Sequence, residues 1–141
     1  MLIQIINGPN LNLIGVRQPE IYGTVTMQKV LDQLRAKFPQ IEINYYQSNH
    51  EGDLIDKLHE VGFSADGIII NAGGYTHTSI ALGDAVKSIS SPVIEVQISD
   101  IYKREAIRQI SYIKSGSIHQ VIGKGVEGYG IAVNYFMTHA H

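Results

Sequence analysis

The sequence predicts a doubly wound α/β fold around a five-stranded parallel sheet. Short runs rich in β-branched residues alternate with stretches whose apolar residues recur at helical spacing. Several of these runs stop abruptly at clusters of Asn and Gly. The alternation persists over the whole chain with no internal repeat, low-complexity tract or linker, so residues 1–141 read as one domain.

Leu2–Ile6 is the first strand and ends at Asn7-Gly8-Pro9-Asn10. Ile41–Gln47 is the second. Gly67–Ile70 is the third, closed by Asn71-Ala72-Gly73-Gly74, and Val93–Ile98 follows Pro92 as the fourth. His119–Ile122, closed by Gly123, is the fifth. Between them, Thr26–Phe38 carries Val30, Leu31, Leu34 and Phe38 at helical spacing, with Thr26 as N-cap. Glu51–Val61, Ser79–Ser88, Arg104–Ile113 and Val126–Thr138 are the other expected helices. Strands alternating with helices make βαβ units, and right-handed crossovers put helices on both faces. Five strands favour the flavodoxin-like topology.

Composition narrows the function. Apolar residues make up 44% of the chain, enough for a core that needs no disulfide, and cysteine is absent, as suits a reducing cytoplasm. A net charge of −2 without a Lys/Arg run argues against a nucleic-acid partner. No apolar stretch approaches the roughly 20 residues that span a bilayer, and the N-terminus does not read as a secretory signal.

Ligands of an open α/β sheet bind beyond the carboxyl ends of its strands. The long connection after the first strand holds Asn7, Asn10, Asn12, Arg17 and Tyr22, and its length suits a lid. Asn71, Tyr75, His77 and Ser79 follow the third strand. Glu95, Gln97, Ser99, Asp100, Arg104 and Arg108 lie on or after the fourth. Amides, hydroxyls, imidazoles and guanidiniums suit a small anion with several hydroxyls. Neither GxGxxG nor GxxxxGK[ST] occurs where a dinucleotide or triphosphate would need it, and no zinc spacing is present, so no metal is expected. Singly, many of these residues have plainer uses. Asn7 and Asn10 suit a turn, His77 suits the start of a helix, Tyr22 suits packing, and Arg17 suits solvent. Glu95 is harder to set aside, because an unpaired carboxylate within a buried strand is costly.

In order along the chain, NGPNLNLIG, RQPEIYG, QSNHEG, NAGGYTHTSIAL, PVIEVQIS and REAIRQISY resemble the type II 3-dehydroquinate dehydratases. The resemblance implies a dodecamer built from trimers. It also implies cofactor-free dehydration of 3-dehydroquinate to 3-dehydroshikimate through an enolate, in the shikimate pathway or in quinate catabolism. By position, Tyr22 corresponds to the base, Arg17 to the guanidinium that activates it, and Asn10 to the amide that steadies the enolate through a water. Asn71, His77 and Arg108 correspond to holders of substrate hydroxyls, and Ile98 and Ser99 to the pair that grips the carboxylate. Asp84 corresponds to an acid that reaches a neighbouring subunit's site, and Glu95 to the glutamate that orients the general acid.

Two positions depart from the family pattern. Gln97 stands where the family has its general-acid histidine, and a glutamine delivers no proton near neutral pH. General acid–base catalysis contributes roughly 10²–10⁴-fold, so weakened dehydration is expected unless Tyr102, His77, His50 or an ordered water substitutes. The alternative is a catalytically silent relative that still binds dehydroquinate-like hydroxy acids. A phosphoacceptor domain is disfavoured, because the first strand ends in Asn7-Gly8 rather than an acidic cluster. Gly83 stands where an arginine is common, which bears on pairing between subunits.

Overall fold

The structure is a computed structural model. It describes residues 1–16, 19–22 and 24–139; the side chains of residues 21 and 22 lie outside that description. Five strands, β1 (Leu2–Asn7), β2 (Glu42–Gln47), β3 (Gly67–Asn71), β4 (Val93–Gln97) and β5 (His119–Ile122), form one sheet. All neighbouring pairs are parallel, in the order β2-β1-β3-β4-β5. That is the doubly wound flavodoxin-like order. The helices are α1 (Pro19–Tyr22), α2 (Met27–Lys37), α3 (Glu51–Val61), α4 (Ile80–Lys87) and α5 (Gly128–Thr138).

The strand sequences follow from burial on both faces, which favours continuous apolar runs over alternation. Ile3, Ile5, Ile69, Ile94 and Val96 pack against Val30, Leu31 and Leu34 of α2 and Tyr129, Val133 and Phe136 of α5. On the other face, Ile6, Ile68, Ile70 and Val93 meet Leu54 and Leu58 of α3 and Leu82 and Val86 of α4. Thr26 caps α2 by accepting from Lys29 N at 3.3 Å, and Ser79 caps α4 by accepting from Leu82 N at 2.9 Å. No helix among the described residues is long and apolar enough to cross a membrane.

The expected helix at Arg104–Ile113 does not form. Only Ala106–Gln109 makes a 3-10 turn. Ile107 and Ile110 stay 62% and 51% exposed, so the apolar spacing finds no core, and of these isoleucines only Ile113 is fully buried. The backbone pairs elsewhere instead: Tyr112 N donates to Thr76 O at 2.9 Å, and the Ile110 carbonyl accepts from His77. Smaller differences lie at element ends. β4 stops at Gln97, one residue short of Ile98, and α5 starts at Gly128 after a 3-10 turn at Gly125–Glu127.

Candidate active site

The strand order reverses between β1 and β3, and this is where the predicted polar residues converge. A cavity of about 120 Å³ lies at these carboxyl ends. Asn10 follows β1, Asn71 and His77 come from β3 and the turn after it, and Gln97, Ile98 and Ser99 come from β4. Arg104 and Arg108 approach from the segment beyond β4. A larger groove of about 470 Å³ between α2 and α5 is lined by residues such as Val30, Leu34, Val126 and Ile131 and holds none of the predicted site residues.

Glycine makes the first wall possible. Gly8 N donates to Asn71 O at 2.7 Å, and a Cβ at Gly8 would sit 2.4 Å from the Ala72 carbonyl oxygen. Only a residue without a side chain lets the two Asn/Gly loops press together there. Asn10 then adopts φ 67°, a left-handed conformation that asparagine tolerates, and its amide donates to Asn49 Oδ1. Its side chain makes no cap bond to the Leu11–Leu13 turn that it heads.

Behind that wall, Tyr129 ties β1 to β3. Its hydroxyl donates to Asn7 Oδ1 at 2.8 Å and accepts from Asn71 Nδ2 at 3.3 Å, while Asn71 Oδ1 accepts from Gly73 N. Asn7 Nδ2 reaches Tyr45 Oη at 3.4 Å. One Asn71 N–H thus stays available to the cavity that the residue lines. Burial pushes the Tyr129 phenol far above its ordinary value, against the opposing bonds from Asn71 and Asn7; burial raises Tyr45 as well. An acid whose folded pKa is raised contributes stability below its unfolded pKa of about 10 and loses it above. Unfolding free energy should therefore fall by up to about 1.4 kcal/mol per pH unit above pH 10 on account of Tyr129. Denaturant titrations at pH 9, 10 and 11 check this. Tyr129→Phe should flatten the slope while lowering stability at pH 8, because Asn7 and Asn71 each lose a buried partner.

His77 lies 2.7 Å, through Nδ1, from the Ile110 carbonyl oxygen. A carbonyl oxygen only accepts, so Nδ1 carries a hydrogen, and in the neutral ring Nε2 is an acceptor. His77 does not cap α4; it closes the 3-10 turn Gly73–His77, and Ser79 is the cap.

Gln97 is only 6% exposed, and Nε2 contacts both Thr76 Oγ1 (2.9 Å) and Glu95 Oε2 (3.1 Å). Both amide hydrogens are therefore committed inside the protein, and Oε1 is what the side chain has left for the cavity. Glu95 is fully buried and accepts also from Ser111 Oγ at 2.6 Å and from Gln120 Nε2. Three donors compensate the carboxylate's burial, so Glu95 holds its neighbours and does not line the cavity.

Arg108 Nε pairs with Glu105 Oε1 at 2.7 Å, and Arg104 Nη1 reaches Ser99 Oγ at 3.4 Å. Arg104, named in the sequence only among the polar residues after the fourth strand, lines the cavity beside Arg108. Ile98 and Ser99 line the same cavity. Asp84 is exposed on α4, away from this cavity. At Gly83 a Cβ would lie 2.4 Å from the Tyr112 carbonyl oxygen, so α4 and the Ser111–Ile113 segment pack too closely for an arginine there. Arg17 and the side chain of Tyr22 lie outside the described residues. Their neighbour Glu20, on α1, shares a depression with Ile98, Ser99 and Arg104.

The family model for dehydroquinase class II matches residues 1–137. A 3-dehydroquinate dehydratase from Dinoroseobacter shibae is 46% identical over 141 residues, covering 99% of this chain and 94% of that protein. One from Bacillus licheniformis is 49% identical over 138 residues, covering 96% and 95%. The crystal structure of a type II dehydroquinase from Butyrivibrio crossotus superposes with a TM-score of 0.93 at 42% identity, covering 97% of each chain. With the cavity at the β1/β3 switch point and similarity running end to end, the chain belongs to the class II dehydroquinase family.

Proposed function

We propose that this chain dehydrates 3-dehydroquinate to 3-dehydroshikimate without a cofactor, and does so slowly. The observation that carries both halves is the cavity itself. It offers guanidiniums, amides and an imidazole for a hydroxylated carboxylate, yet both Gln97 N–H groups are turned away from it. Arg104, Ser99 and the backbone at Ile98 hold the carboxylate. Asn71, Arg108 and His77 contact the substrate's hydroxyls. Tyr22, as phenolate beside Arg17, takes a proton from the carbon next to the ketone, and Asn10 steadies the enolate through a water. The enolate then collapses and expels the hydroxyl.

The position of Gln97 favours a second reading, in which the chain binds dehydroquinate-like hydroxy acids and turns none over. The two separate in one assay. Purified protein mixed with 3-dehydroquinate should develop enone absorbance at a rate proportional to protein and above the spontaneous background. Saturable binding by calorimetry with no enone would select the silent relative, and neither binding nor enone would refute both. Assembly as a dodecamer of trimers fits the exposed position of Asp84, which is free to reach a neighbouring subunit's cavity. A cytoplasmic location, in biosynthesis or in quinate catabolism, completes the proposal.

A further inference from the structure

We infer that His77 supplies the proton that leaves with the departing hydroxyl in this chain. The inference rests on the dehydration reading above and specifies the step that Gln97 cannot perform. Among the described residues lining the cavity, His77 is the one side chain whose type exchanges a proton near neutral pH. The other ionisable groups there are Arg104 and Arg108, and a guanidinium does not give up its proton.

The other candidates lie elsewhere. Tyr102 is 46% exposed, contacts Gln120 Oε1 at 3.5 Å and does not line the cavity. His50 is exposed at the N-cap of α3. Glu95 is sealed behind Gln97 under three donors. His77 is also positioned for the task. The Ile110 carbonyl fixes the ring through Nδ1–H and would support an imidazolium, whose second N–H then projects from Nε2. The same backbone departure that prevents a helix at Arg104–Ile113 delivers that carbonyl.

The charged groups around the ring come from several elements. Arg104 and Arg108 share its cavity, Glu105 pairs with Arg108, and Glu95 lies behind Gln97 of β4.

The step balances. The base breaks the C–H bond and takes that proton, and the electron pair moves into the ketone as an enolate. The enolate pair then forms the new C=C bond while the C–O bond breaks. The hydroxyl leaves as water with the His77 Nε2 proton. The ring ends neutral, the base protonated, and solvent restores both.

The test is the pH dependence of steady-state turnover, followed by enone absorbance. The parent chain should show kcat falling on an alkaline limb that depends on His77. His77→Gln, which keeps a hydrogen-bonding amide, should lose about 100-fold in kcat with KM within a few-fold, and should lose the limb. Added imidazole should restore part of the rate of His77→Ala, and Gln97→His/His77→Gln should exceed His77→Gln alone. A His77→Gln protein that keeps kcat and the limb but loses affinity would overturn the inference. So would a parent chain that turns over nothing while Gln97→His does. If neither turns over, the dehydration reading itself falls, and the inference with it.

Discussion

Gln97→His is expected to raise kcat for 3-dehydroquinate by up to about 10²-fold, what remains of the roughly 10²–10⁴-fold of general acid catalysis once His77 supplies about 10²-fold, with KM changed by no more than a few-fold. The surroundings of residue 97 already suit an imidazole. Glu95 Oε2 lies 3.1 Å from the Gln97 amide nitrogen and would accept an Nδ1–H, fixing the ring with Nε2 towards the cavity. Ser111 and Gln120 would continue to hold the carboxylate, so no buried charge is left unpaired. A ring in this place would carry the proton to the leaving hydroxyl directly, where the amide presents only Oε1. On the inference drawn above, the parent chain takes that proton from His77 instead, so its turnover is expected to be slower than the variant's. Initial rates at saturating substrate, on proteins matched for thermal stability, measure the gain. An unchanged kcat in a folded, substrate-binding variant would remove position 97 from any part in proton delivery.

Much of this arrangement is legible in the sequence because it is local. A β-branched run closed by Asn-Gly or Asn-Ala-Gly-Gly marks both a strand and the loop that must begin the binding site, and the switch-point rule says which strand ends matter. The caps at Thr26 and Ser79 are equally local, each accepting from an amide three residues on. What the sequence conceals depends on long separations. Tyr129 reads as one more apolar residue of α5, yet it joins Asn7, 122 positions away, to Asn71, 58 positions away. The spacing of Ile107, Ile110 and Ile113 is helical, but a helix there would have had no core for its apolar face. One backbone bond to Thr76 and one from the His77 side chain tie the segment to the Gly73–His77 turn instead. The glutamine at position 97 is plain in the sequence, and so is its inability to transfer a proton. That it also fails to donate a hydrogen bond into the cavity follows only from where Thr76 and Glu95 sit.

Tyr22→Phe should lower kcat by at least about 10²-fold, the low end of general-base catalysis, and leave the dissociation constant of a non-reacting ligand nearly unchanged. The cavity supports this by what it lacks. Its described lining presents carboxamides, Ser99, His77 and two guanidiniums, and if His77 holds the acid's proton then no base is left among them. On the reading proposed above the base comes from the connection between β1 and α2, where α1 holds Glu20, which shares a depression with Ile98, Ser99 and Arg104. A phenol ordinarily keeps its proton to about pH 10, so its use near neutrality needs a cation within about 4–6 Å, the part assigned to Arg17. Phenylalanine removes only the hydroxyl, and the binding proposed for Arg104, Arg108, Asn71 and His77 does not depend on it. Calorimetry with 3-dehydroshikimate, the reaction product, and enone kinetics with 3-dehydroquinate should therefore diverge: affinity within a few-fold, turnover near background. Equal loss in both would make Tyr22 a binding group, and full turnover would require a different base and a different course for the first proton.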